Sequence, residues 1–376
     1  MRRRSRFAAP ASMAGGRSLS VHREGIPADQ LGHGRESRAR GTGSARPPGG
    51  SRLKAALLAI IDVVDPLIAV LLVPSLYVLR AARRIGLHRL PFTERTLLRV
   101  GVFPIRDHYY EPLFNPARLK RDLGCERPLP AIDLHLAEAL SLLRHFRYAA
   151  ELRAVMADPS AADGRHPTFA MGNANFESGD ADIWYATVRH FRPRRIIEVG
   201  SGHSTLVARA AIRANAAEDR GYSCNHVCIE PFENDWLESC GVMVQRAMVE
   251  DMPVEFFAQL GAGDILFIDS SHMIRPQGDV VFEYMELLPV LRPGVIVHIH
   301  DIFTPRDYLR SWVITEKRFW NEQYLLEAFL SFNPGFEVLL PLNHIHHRAY
   351  EALAAACVDH VRSREPGSFY IRRRGV

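Results

Sequence analysis

The chain has 376 residues, 47% of them apolar, and a formal net charge of +5. This holds one large domain with extensions, or two modest ones, with a substantial core, and excludes a wholly disordered or fibrous chain. Residues 1–50 carry ten Arg against three acidic residues, a balance of +7 that leaves the other 326 at about −2, so the body offers no basic footprint for nucleic acid.

Residues 1–50 are rich in Arg, Gly, Ser and Pro and poor in large apolar side chains. Such a basic tail cannot bury enough surface to offset its ordering entropy and is expected to be disordered. Residues 55–79 are the most apolar stretch and are long enough to span a bilayer, which needs about 20 residues. Asp62 and Asp65 lie inside it, Pro66 and Pro74 are expected to interrupt its helix, and both flanks are basic. Basic residues on both flanks give no direction across a membrane. Residues 51–90 are therefore expected to be a helical segment attached to the cytoplasmic face of the inner membrane, dipping in or lying in the interface. A soluble helical hairpin is the alternative.

Residues 91–190 are expected to form a helical cap or substrate region. Within it, 132–156 has apolar residues at three- and four-residue spacing and predicts one amphipathic helix. A polar, Gly-rich loop follows at 157–182, then a helix around 182–191. From 191 to the end, strands and helices alternate at the pace of a doubly wound α/β sheet. Strands are expected near 195–199, 226–230, 243–247, 264–269 and 294–300, with two more at Phe336–Leu340 and Phe369–Arg373. The five cysteines are scattered and odd in number, which fits reduced thiols in a cytoplasmic body.

The first strand runs into Glu198-Val-Gly-Ser-Gly-His-Ser-Thr205. Gly200 and Gly202 make a turn before a helix, the arrangement that brings backbone close to a nucleotide-like ligand. Thr205 stands where a dinucleotide fingerprint wants a third glycine. Glu198 suits a cationic ligand group better than a pyrophosphate, which it would repel. Glu230 ends the second strand, where an acid can accept both ribose hydroxyls. After the third strand come Glu250 and Asp251; either can face an adenine amine, Asp251 is slightly preferred, and a helix N-cap is the competing role. The fourth strand ends in Asp269-Ser-Ser-His272 and the fifth in His298-Ile-His300-Asp301. Both thus place Asp and His at the carboxyl edge, where open α/β sheets bind ligands. His298 alternates with His300, and one is expected on each side of the sheet, His298 as a satisfied core histidine.

In order and spacing, Glu198–Thr205, Ile229-Glu-Pro231, Phe267-Ile-Asp-Ser-Ser-His272 and His298-Ile-His-Asp-Ile-Phe303 resemble a bacterial branch of the class I S-adenosylmethionine-dependent methyltransferases. Phe103–Phe114 and Gly367–Arg372 share the likeness, which covers roughly 95–376. Ser204 replaces the usual third glycine of the first motif, and 343–362 reads as an inserted helix. The resemblance implies an α/β fold: a doubly wound, Rossmann-like seven-stranded sheet with an antiparallel last strand and a helical N-terminal extension.

It also implies that Glu198, Gly200 and Gly202 hold the methionine portion of the coenzyme, with Ser201 and Ser204 also binding the coenzyme. Glu230 would take the ribose, Glu250 or Asp251 the adenine side, and Asp269 the amino group or the substrate. His272 and His300 are the candidate bases, with Asp269 and Asp301 orienting them; His272 is preferred. Asp269 and Asp301 match two cation ligands of catechol-type relatives, but Ile302 stands where an Asn is expected, so Mg or Mn is left open and no metal ligands are assigned.

The function expected is methylation, O-directed, of a small molecule or a membrane-linked glycan or lipid. The alternatives are a metal-dependent hydroxylase-like enzyme on the same fold and a non-catalytic, membrane-tethered binding module.

Overall fold

The computed structural model describes residues 50–157, 167–173 and 175–375, and side chains from residue 60 onward. The basic tail expected over residues 1–49 lies outside the described residues. The chain divides into two compact units, Met1–Glu94 and Arg95–Val376.

The first unit contains α1 (Gly50–Ile85), a single 36-residue helix, and the start of α2 (Pro91–Val100). Pro66 and Pro74 lie inside α1 without ending it. Each proline removes one backbone hydrogen bond, and here the remaining ladder holds through both sites, so the expected interruption and the hairpin do not occur. Ile60–Ile85 is long and apolar enough to cross a membrane, with mean hydropathy 1.9 and none of its apolar window buried.

In the second unit, the expected helix over 132–156 is two helices, α3 (Leu136–Leu143) and α4 (Ala149–Ala157). Tight turns end α3, His145 N bonding Leu142 O and Phe146 N bonding Leu143 O, and they swing Phe146 into the core. Burial of that ring outweighs the local helical pattern. α5 (Asp180–Phe191) then packs on α6 (His203–Glu218), and Trp184, fully buried, donates its Nε1–H to the Ser204 carbonyl at 3.1 Å. α3, α4 and α5 thus pack into the same core as one face of the sheet.

The sheet has seven strands: β1 (Arg195–Val199), β2 (Asn225–Ile229), β3 (Met243–Gln245), β4 (Ile265–Ile268), β5 (Ile296–Ile299), β6 (Phe336–Pro341) and β7 (Phe369–Arg373). Their order is β3-β2-β1-β4-β5-β7-β6, with β1 to β5 parallel and β7 antiparallel to both neighbours. Helices cover both faces, so the central strands read as unbroken apolar runs; β4 and β5 are buried at every position. One core layer gathers Trp184, Ile196, Val207 and Phe267, the other Ile197, Leu266, Val297 and Ile371. From β1 the chain steps outward to β2 and β3, then returns to β4 on the other side. That reversal between β1 and β4 is a topological switch point, and open α/β sheets bind ligands at the carboxyl edge beside such a point.

Between β6 and β7 lie α11 (Leu342–Arg348) and α12 (Tyr350–Ala356).

Candidate active site

Gly200 has φ +73°, in the left-handed region, and a Cβ built there would lie 2.0 Å from the Asp269 carbonyl oxygen. Glycine is required because the β1 turn touches the end of β4, a constraint internal to the protein. Gly202 precedes α6, and its N–H donates to Thr205 Oγ1 at 3.1 Å. Ser201 Oγ is buried without a partner among the described residues.

Glu198 does not open onto the carboxyl edge. It is fully buried and accepts hydrogen bonds from Ser204 Oγ, Thr205 Oγ1 (3.0 Å) and His226 Nε2 (2.8 Å), with Cys228 Sγ at 3.7 Å. A carboxylate has about four acceptor positions, so little remains for a ligand. Glu198 and Ser204 brace the turn from within, whereas both are expected to contact the coenzyme.

Glu230 lies at the tip of β2. Its carboxylate accepts the N–H groups of Ser201 (3.2 Å), Phe232 and Glu233 (both 3.0 Å). It therefore stands beside the glycine turn as expected, already engaged by backbone. Beyond β3, Asp251 is exposed, whereas Glu250 carries a buried Oε2 with no partner among the described residues. The N-cap of the next helix, α7 (Val254–Phe257), is Pro253. Burial thus favours Glu250 over Asp251 as the inward-facing acid.

The tips of β4 and β5 bring Asp269, His272, His300 and Asp301 together. His272 Nε2 is 3.3 Å from Asp269 and 3.5 Å from Asp301. Its Nδ1 is 2.8 Å from Glu322 Oε2, and the other Glu322 oxygen accepts the Tyr284 hydroxyl at 2.9 Å. Trp320 covers the imidazole at 4.3 Å between ring centres. Burial opposes charge on His272, but the hydrogen bonds to Asp269 and Glu322 and the charges of Glu322 and Asp301 outweigh it and raise its pKa well above the usual value. His272 and Asp301 both take left-handed backbone, φ 58° and 57°, an uncommon conformation that here aims both side chains at one point.

His298 and His300 share one face of β5, with ring centres 5.8 Å apart. Residues two apart on a strand point the same way, which corrects the expectation of one on each side. His298 stacks on Tyr370 at 4.4 Å, and neither ring nitrogen has a partner among the described residues. It is buried in the core but not satisfied there, and burial holds its pKa well below the usual value. His300 Nε2 lies 3.6 Å from Asp301 and its ring 5.1 Å from Phe176. Burial works against its charge, but Asp301, Asp269 and Asp180 raise its pKa. Burial raises the pKa of Asp301. Asp269 is lowered: the positive charge of His300 and the His272 hydrogen bond outweigh desolvation.

Glu322 was not legible in the sequence. It begins α10 (Glu322–Leu330), where an acid is ordinary for a helix start, and it meets His272 across fifty residues of chain.

Asp269, His272 and Asp301 offer donor atoms within 4.8 Å of one another. Mg²⁺ and Mn²⁺ want a shell of oxygens. Ile302 has none and is fully buried, and the imidazole already lies between the two acids. The set does not fit a hard cation well.

Residues 197–302, from β1 to just past β5, match a family model described as a methyltransferase domain. An uncharacterized protein of Archaeoglobus fulgidus is 27% identical over 160 residues, 41% of this chain and 69% of that protein. Among solved structures, an O-methyltransferase from Bacillus cereus in complex with SAH aligns at 13% identity and TM-score 0.32, over 62% of this chain and 91% of its own. A putative methyltransferase from Thermobifida fusca aligns at 12% and 0.32, over 66% and 97%.

Proposed function

We propose that the chain transfers the methyl group of S-adenosylmethionine to a hydroxyl oxygen of a small molecule or of a membrane-linked glycan or lipid. The observation that carries this reading is His272, between Asp269 and Asp301 and backed by Glu322, beside the glycine turn at the carboxyl edge. In this reading the methionine end of the coenzyme lies over Gly200–Gly202. The ribose reaches Glu230, displacing one of its backbone donors, and the adenine side meets Glu250.

The sulfonium methyl is an activated carbon, so the protein's main work is to align an oxygen with it. That oxygen must lose its proton. His272 takes it at Nε2, while Glu322 fixes the ring by accepting from Nδ1. The face of Trp320 supplies an apolar wall for the acceptor.

Calorimetry on the full chain tests the coenzyme: S-adenosylmethionine and S-adenosylhomocysteine should bind and NAD should not. If neither of the first two binds, the reading fails, and methyl-labelled coenzyme then reports transfer to trial acceptors.

The same proposal places the enzyme at a membrane surface through α1. Its uncharged run, residues 66–79, extends only about 21 Å as helix, short of the roughly 30 Å hydrocarbon core. Asp62 and Asp65 would therefore enter the core in a full crossing, so α1 penetrates partway and leaves the catalytic unit on the cytoplasmic side. The full chain should sediment with membranes and residues 95–376 should not; a full chain found in the soluble fraction refutes this.

A further inference from the structure

The segment between β6 and β7 carries four side chains that the methyl-transfer reading does not use: His346, His347, His360 and Glu365. His346 Nδ1 and His360 Nε2 are 2.9 Å apart, and His347 Nε2 and Glu365 Oε2 are 2.8 Å apart. His346, His347 and Glu365 present donor atoms that all lie within 4.8 Å of one another. We propose that His346, His347 and Glu365 form a binding site for one borderline-soft divalent cation, Zn²⁺ above all, with water in the fourth position, which ties α11 to the chain leading into β7.

The chemistry of the donors selects the metal. Two imidazoles and one carboxylate suit Zn²⁺, while Mg²⁺ and Ca²⁺ want oxygen shells. Adjacent ligands on a tetrahedral zinc, with Zn–N of about 2.0–2.1 Å, sit ~3.3 Å apart. The His347–Glu365 pair needs to open by only about half an ångström to take up an ion. Supporting contacts of the kind metal ligands use are also present. Asn343 Nδ2 donates to Glu365 at 2.8 Å, and a backbone hydrogen bond at Arg362 reaches the His346 ring.

The site stands apart from the strand tips but acts on them through the chain. Two residues after Glu365, the Gly367 carbonyl accepts the N–H of Ile302 at 2.7 Å, directly after Asp301. Asp180 grips the same place, accepting the N–H groups of Gly367 and Ser368. A cation would fix the segment that fixes Asp301.

The test uses the full chain stripped with a chelator and titrated with Zn²⁺ or Co²⁺. Wild type should take one Zn²⁺ that raises its Tm, and Co²⁺ should show the visible absorption of four-coordinate cobalt. His347→Ala and Glu365→Gln should each weaken binding at least tenfold and lose the Tm rise. Both side chains are about a third exposed, so at least one variant should fold. Zn²⁺ bound equally by wild type and a folded variant, or not taken up by wild type, overturns the proposal.

Discussion

Glu198 separates two roles that the sequence leaves entangled, ligand binding and internal bracing. In Glu198→Ala, Ser204 Oγ, Thr205 Oγ1 and His226 Nε2 lose their shared acceptor in a site without solvent. Each orphaned buried donor costs about 1–3 kcal/mol, and the three overlap because they share one partner. Loss of a buried charged partner as a whole costs about 3–5 kcal/mol, which is the expected destabilisation. Glu198→Gln keeps the shape but presents an N–H₂ where an acceptor is needed, so about 1–3 kcal/mol is expected. Urea unfolding of residues 95–376, followed by circular dichroism, reads both as a lower midpoint at constant slope. Calorimetry on the folded variants should show S-adenosylmethionine affinity changed by less than about threefold, under 1 kcal/mol. A Glu198→Gln protein with an unchanged urea midpoint and affinity at least tenfold weaker would refute the bracing assignment.

Glu230→Ala should weaken coenzyme binding by about 1.5–3 kcal/mol, the worth of charge-assisted hydrogen bonds; wild-type affinity in a folded variant, measured by calorimetry, removes Glu230 from the ribose. His272→Ala should slow methyl transfer by about 10²–10⁴-fold with coenzyme affinity nearly unchanged, and His300→Ala should be milder; a normal single-turnover rate in His272→Ala ends its role as base. Because the base works as neutral imidazole and its pKa is raised, the wild-type rate should climb as pH rises above the ordinary histidine range. Removing the Glu322 charge in Glu322→Gln should move that limb toward acid, and an unmoved pH profile disconnects Glu322 from His272. The stability that this ion pairing adds should be fully present below about pH 6.5 and lost as pH rises through the raised pKa of His272, as pH-dependent unfolding would register.

Much of the fold is legible because parallel strands covered on both faces must be apolar throughout. Ile265–Ile268 and Ile296–Ile299 have no other way to be read, and both end where Asp and His begin. Local pattern failed where tertiary packing decided. The 132–156 periodicity does not announce that Phe146 leaves the helix for the core, nor does a proline reveal that α1 runs on through it. At the site, the residues at strand tips were readable because topology alone brings them to one edge. The direction of each side chain was not: Glu198 turns inward, and His298 and His300 share a face. Glu322 reaches His272 only through the folded path of α10, and no local signal marks such a contact.

The contact of Gly200 with the Asp269 carbonyl has a thermodynamic consequence. The turn assigned to the coenzyme and the loop assigned to the acceptor have no slack between them: one cannot advance without the other yielding, and packed interiors yield little. A coenzyme that shifts Gly200 therefore displaces the backbone that carries Asp269. Linkage makes the effect mutual, so an acceptor that settles Asp269 changes coenzyme affinity by the same factor. Glycine at this position thus acts as a coupling element, and the two substrates are expected to bind cooperatively.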